Sequence, residues 1–113
     1  MTYPEAALPA TSERLQKLHV MLEKEPNDAF LLYAIALEHK KLGNTSDALV
    51  FFQKTLDRDP GYCVAYHQRG LTYEEAGDEE AAKIAYREGI AKATQKGDRH
   101  AASEMQAALS MID

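Results

Sequence analysis

The chain has 113 residues, 45% of them hydrophobic and 27% charged, with a formal net charge of −5. This is the composition of one small globular domain and excludes a disordered or fibrous chain. A domain of this size buries about 65% of the surface its unfolded chain exposes, which leaves little room for a deep, dry catalytic cavity. The acidic balance opposes a nucleic-acid partner, because a phosphate-tracking protein needs a basic stripe.

Cys63 is the only cysteine, so no internal disulfide forms and no cysteine pair holds a metal. A reducing compartment and a cytoplasmic location are expected. The start Met1-Thr2-Tyr3-Pro4-Glu5 lacks the basic and apolar regions of a signal peptide. The longest uncharged apolar run, Ala29 to Leu37, falls far short of the about 20 residues a membrane span needs, so no membrane association is expected.

In chain order, residues 1–11 contain Pro4 and Pro9 without a sustained period and read as a loose arm. Leu15, Leu18, His19 and Leu22 then follow the i, i+3, i+4, i+7 spacing of an amphipathic helix. Pro26-Asn27-Asp28 ends it and opens a second helix to about Lys41. Gly43-Asn44, Pro60-Gly61, Gly77-Asp78 and Gly97-Asp98 punctuate the rest, giving six segments of helical length. The last bears Ala101, Met105, Ala108 and Ile112 on one stripe, with Ala102 and Leu109 beside it. No segment alternates with the period of two that a half-buried strand requires, so the fold class is all-α.

The breaks recur. Gly43 and Gly77 lie 34 residues apart, as do Pro26 and Pro60, Ala48 and Ala82, and Leu37 and Leu71. Leu32/Tyr66, His39/Tyr73, Phe52/Tyr86 and Leu56/Ile90 keep the same offset with conservative changes. Two helices per period of this length predict a helical solenoid. One unit reads Leu32, Ile35-Ala36, His39, Ala48-x-x-x-Phe52 and Pro60; the next reads Tyr66, Arg69-Gly70, Tyr73 and Ala82-x-x-x-Tyr86. In this pattern the chain resembles the tetratricopeptide repeat family, over about residues 12–97. The resemblance implies a right-handed α-solenoid of a half repeat (12–25), two full repeats (27–60 and 61–96) and a capping helix (98–112). Arg69 stands where the family usually has Leu, so a charge at that packing position needs a carboxylate or solvent. Thr94 replaces the closing Pro, consistent with a helix that continues toward Gly97.

By the same resemblance the function is protein recognition: inner helices line a groove that holds a peptide or partner helix. Leu32, Ile35, Ala36 and His39 form the stripe that packs on a neighbouring helix, while Phe30, Tyr33 and Leu37 point almost oppositely at 100° per residue. Their counterparts are Val64, His67 and Leu71, with Gln68 beside them. Lys40 and Lys41 end one inner helix and Glu74 and Glu75 the other. The expected groove therefore has an apolar floor with opposite charges at one rim. Three occupants compete for that floor. It is filled in cis, by Met105 and Leu109 or by Tyr3 and Leu8; it binds a protein partner; or it mediates a homodimer. Family members that grip C-terminal carboxylates use Lys and Asn on inner helices. Tyr33 and Leu37 occupy the first unit's matching positions and Gln68 the second unit's Asn position, so an apolar or amphipathic segment fits better.

Nothing points to an enzyme or to a cofactor. None of His19, His39, His67 and His100 pairs at i, i+4 with a second His in the metalloprotease manner, and the six glycines form no phosphate-cradling loop. His39 reads as structural, and His67 as a groove contact. Cys63 lies near a helix start, where the dipole lowers a thiol pKa, but no His or Asn nearby in sequence completes a nucleophile system; it reads as a half-buried thiol. Asp78, Glu79 and Glu80 read as helix capping.

Overall fold

A computed structural model describes residues 10–113, so the arm expected at 1–11 lies, apart from its last two residues, outside the described residues. Six helices follow in order: α1 Glu13–Lys24, α2 Ala29–Lys41, α3 Thr45–Arg58, α4 Cys63–Glu75, α5 Glu79–Lys96 and α6 Arg99–Ser110. Among the described residues no strand occurs. The architecture is an all-α helical-repeat solenoid, elongated to 47 × 32 × 19 Å.

The helix boundaries follow from local chemistry. Ser12, Asp28, Asp78 and Asp98 each accept a hydrogen bond from the backbone N–H three residues on, satisfying a donor the helix leaves orphaned. Gly43, Gly77 and Gly97 close α2, α4 and α5 at φ of 80°, 81° and 77°. Behind each, the next residue's N–H reaches the carbonyl five residues back (Asn44 to His39, Asp78 to Tyr73, Asp98 to Ala93) at 2.8–2.9 Å, the Schellman arrangement. A left-handed glycine followed by a polar residue thus both ends one helix and starts the next. α5, with 18 residues against 14 in α3, runs on past Thr94 to Gly97.

Packing is tightest where side chains are smallest. Ala36, Ala48, Ala65, Ala82 and Ala93 are all fully buried, and so are the bulky Phe52, Tyr86 and Met105. Gly70 lies directly against the Tyr86 ring, and Gly89 against Met105 and Tyr66. A Cβ at either position would collide with those side chains, so glycine here serves helix–helix approach rather than backbone freedom. A second, smaller core joins Leu15 and Leu18 of α1 to Leu31, Ala34 and Ile35 of α2.

One buried carboxylate ties the first helix to the second. Glu38 is only 6% exposed. It accepts from Ser12 Oγ at 2.9 Å and lies 3.4 Å from Arg14 Nε. The Ser12 hydroxyl therefore accepts at the α1 cap and donates to α2 at once.

Gly70→Ala tests the close approach by the sign of its effect. Helix propensity alone favours Ala by about 1 kcal/mol, whereas overpacking against Tyr86 costs about 1–3 kcal/mol. The variant should unfold at lower denaturant concentration than wild type; a higher midpoint would contradict the packing.

Candidate functional site

α2 and the segment Tyr62–Glu75 containing α4 meet through side chains at two places. Tyr33 of α2 sits 5.1 Å, centroid to centroid, from Tyr62 at the start of α4, and 6.0 Å from Phe52. Burial raises the pKa of both phenols, with Asp59 and Asp28 adding to the effect at Tyr62. Further along, Lys40 Nζ donates to Gln68 Oε1 at 2.9 Å and lies 3.5 Å from Glu75 Oε1. An aromatic contact at one end and a polar bridge at the other thus hold the two helices together.

The stripe Leu32, Ile35, Ala36 and His39 is buried. On the other side of α2, Tyr33 and Leu37 are half-buried against the larger core cluster, while Phe30 stays 64% exposed. Val64, one repeat later than Phe30, is 49% exposed. Leu71 and Gln68 are half-buried, and Lys41 and Glu75 are exposed. The inner face is therefore apolar and open at the helix starts, and closed by the Lys40 bridge toward the helix ends. Met105 and Leu109 are buried with α4 and α5 in the core.

Glu74 behaves differently from its neighbour. It accepts a hydrogen bond from the Tyr86 hydroxyl within its own unit. Burial, that bond and the nearby carboxylates push the Tyr86 pKa well up. The matching pair in the first unit is Lys40 and Phe52, which has no hydroxyl. Lys40 is therefore free of its own unit and reaches across to α4. His67 stacks edge-on against Tyr86 at 6.0 Å and faces Glu104 of α6, with Nδ1 3.9 Å from Oε2. His100 lies 3.0 Å from the same carboxylate.

Cys63 is buried, and its thiol lies 3.4 Å from the Gly61 carbonyl oxygen. Burial pushes the thiol pKa up despite the helix start, with Lys96 opposing it, so the dipole does not prevail. Arg69, in the usual Leu position, lies 3.7 Å from Glu88 of α5 and beside the Tyr73 ring. Among the described residues no three His, Cys, Asp or Glu side chains are placed to hold a metal ion.

Several contributors were not legible beforehand. Asn44 donates to the Ala10 carbonyl at 2.6 Å and accepts from its N–H at 3.1 Å. Its second N–H meets His39 Nδ1 at 3.1 Å. Tyr62 meets Tyr33, and Glu104 faces His67. Only the position of Asn44 after a closing glycine hinted at a structural role, and that hint was local.

A family profile described as Tetratricopeptide repeat matches residues 51–84. The crystal structure of a tetratricopeptide repeat domain protein from Salinibacter ruber superposes with a TM-score of 0.68 at 35% identity, covering 75% of this chain and 94% of that one. The chain belongs to the tetratricopeptide repeat family. A TPR repeat-containing protein of Pseudomonas aeruginosa is 28% identical over 99 residues, covering 88% of this chain and 94% of the relative. The photosystem I assembly protein of Rippkaea orientalis is 33% identical over 73 residues, covering 58% of this chain and 42% of that protein. α2 packs on α3 and α4 on α5 as two helical hairpins, and Gly70 against Tyr86 is the small-against-aromatic contact of the second hairpin. No helix among the described residues is long and apolar enough to cross a membrane.

His39 takes the aromatic position of the first repeat, stacked on Phe51 at 5.6 Å. Burial lowers its pKa from the usual 6.5, against the opposing pull of Asp47. The folded chain therefore holds it neutral, and the unfolded chain takes up a proton first as pH falls below about 6.5. Stability due to this residue is complete above that pH and declines below it, until the folded imidazole protonates as well. Denaturant midpoints measured from pH 8 to pH 5 should fall less steeply for His39→Gln than for wild type; parallel profiles would contradict the assignment.

Proposed function

We propose that this tetratricopeptide repeat protein is an interaction scaffold without chemistry of its own, and that it holds an apolar or amphipathic segment of a protein partner on its inner-helix surface. One observation carries the reading: Phe30 and Val64, at matching positions of α2 and α4, stay 64% and 49% exposed, although the other apolar residues of those helices are buried or half-buried. An exposed aromatic one helical turn before the half-buried Tyr33 supplies a rigid apolar anchor at low entropic cost. The half-buried Leu37 and Leu71 extend it, and the bridge from Lys40 to Gln68 and Glu75 marks its polar limit. Lys41, His67 and Glu74 border the surface and would meet the polar side of a bound segment. The name of the Rippkaea relative, an assembly protein, agrees with a role in holding partners.

Covering Phe30 and Val64 should contribute about 2–3 kcal/mol to binding, so their loss weakens affinity at least about 30-fold. Selection from a displayed library of random peptides tests this. Wild type should enrich sequences with spaced apolar anchors that bind at least about 30-fold more weakly to Phe30→Ser/Val64→Ser, while the melting temperature of that exposed-site variant stays near wild type. Equal affinity for the two proteins would remove the surface from the account.

A further inference from the structure

α1 offers a second, separate surface. Its Leu15 and Leu18 pack on α2, and its opposite side faces away from the solenoid. Val20 and Met21 on that side are 54% and 51% exposed. They border shallow depressions also lined by Glu13 and Lys17. At 100° per residue Glu13, Lys17, Val20, Met21 and Lys24 fall within an arc of about 100°, so they form one continuous face. The charges at its two ends are opposite: Glu13 opens the helix, Lys24 closes it, and the two are equidistant from the point between Leu18 and His19, while Lys17 lies 3.2 Å from Glu13 on the same helix.

We propose that this face is a self-association surface whose occupant is α1 of a second copy, lying antiparallel about a two-fold axis through that midpoint. The operator places Glu13 of each copy against Lys24 of the other, twice by symmetry. Val20 and Met21 then cover each other and the aliphatic stem of Lys17. A parallel pairing would set Glu13 on Glu13 and Lys24 on Lys24, so charge selects the antiparallel register. A single three-turn helix buries less than the roughly 800 Å² per partner of a standard interface, so the dimer is weak and concentration-dependent. The inner-helix surface takes no part in it.

Sedimentation equilibrium of the full chain at low salt, over micromolar to millimolar concentrations, tests the proposal. Wild type should show a reversible monomer–dimer equilibrium, and Val20→Lys, which sets a second ammonium against Lys17 of the other copy, should be monomeric with an unchanged circular dichroism spectrum. Glu13→Lys and Lys24→Glu should each raise the dimer dissociation constant at least about tenfold. An equimolar mixture of those two variants should recover association, because each end of the mixed pair then sets an ammonium of one copy against a carboxylate of the other. The double variant should recover it alone. Phe30→Ser should leave every value unchanged. A wild type that stays monomeric throughout overturns the proposal. So does a dimer indifferent to Val20→Lys, a mixture no tighter than its components, or a dimer lost with Phe30→Ser.

Discussion

The close approach of two helices at a residue with no side chain sets the rest of this molecule. Gly70 lets the Tyr86 ring lie directly on the α4 backbone, and Gly89 does the same for Met105 and Tyr66. Ala36 and Phe52, both fully buried, hold the equivalent register one repeat earlier. Interiors pack at crystal-like density, so these contacts admit little adjustment. They fix the spacing within each hairpin, and hence where the inner helices stand relative to each other.

That spacing decides which groups remain for contact with other molecules. With Tyr86 seated on Gly70, its hydroxyl reaches Glu74 and retains that carboxylate inside the second repeat. Phe52 cannot do the same for Lys40, which instead spans to Gln68 and Glu75. One hydroxyl more or less at an otherwise matched position thus separates an intra-repeat bond from an inter-repeat bridge. The bridge draws the helix ends together and leaves the helix starts, with Phe30 and Val64, as the open apolar part of the inner face.

The fold was legible because its determinants repeat. Glycines at the breaks, small residues at the contacts and aromatics beside them recur at one offset, and each has a local physical reason to be where it is. The binding surface was legible only in outline. Periodicity put Phe30, Tyr33 and Leu37 on one side of α2, yet their exposure differs because Tyr62 and Phe52 cover Tyr33 and, among the described residues, nothing comparable reaches Phe30. The bond from Tyr86 to Glu74, the buried Glu38 held by Ser12 and Arg14, and the clasp of Asn44 on Ala10 join residues 12 to 34 positions apart. No helical period encodes such pairs in a single sequence, because each depends on the final rotation of a helix rather than on its pattern. Cys63 illustrates the competition of effects: its place at a helix start suggested a lowered thiol pKa, and burial reversed the direction.

The central claim is that the open apolar start of the inner helices is where this repeat protein meets its partner. Intermolecular nuclear Overhauser effects between a selected apolar-anchor peptide and the isotope-labelled chain address it most directly. The account predicts contacts from peptide protons to the Phe30 ring and the Val64 methyl groups, with Tyr33 and Tyr62 next. Contacts confined to Val50 and Ile84, the exposed apolar residues of α3 and α5, would contradict it.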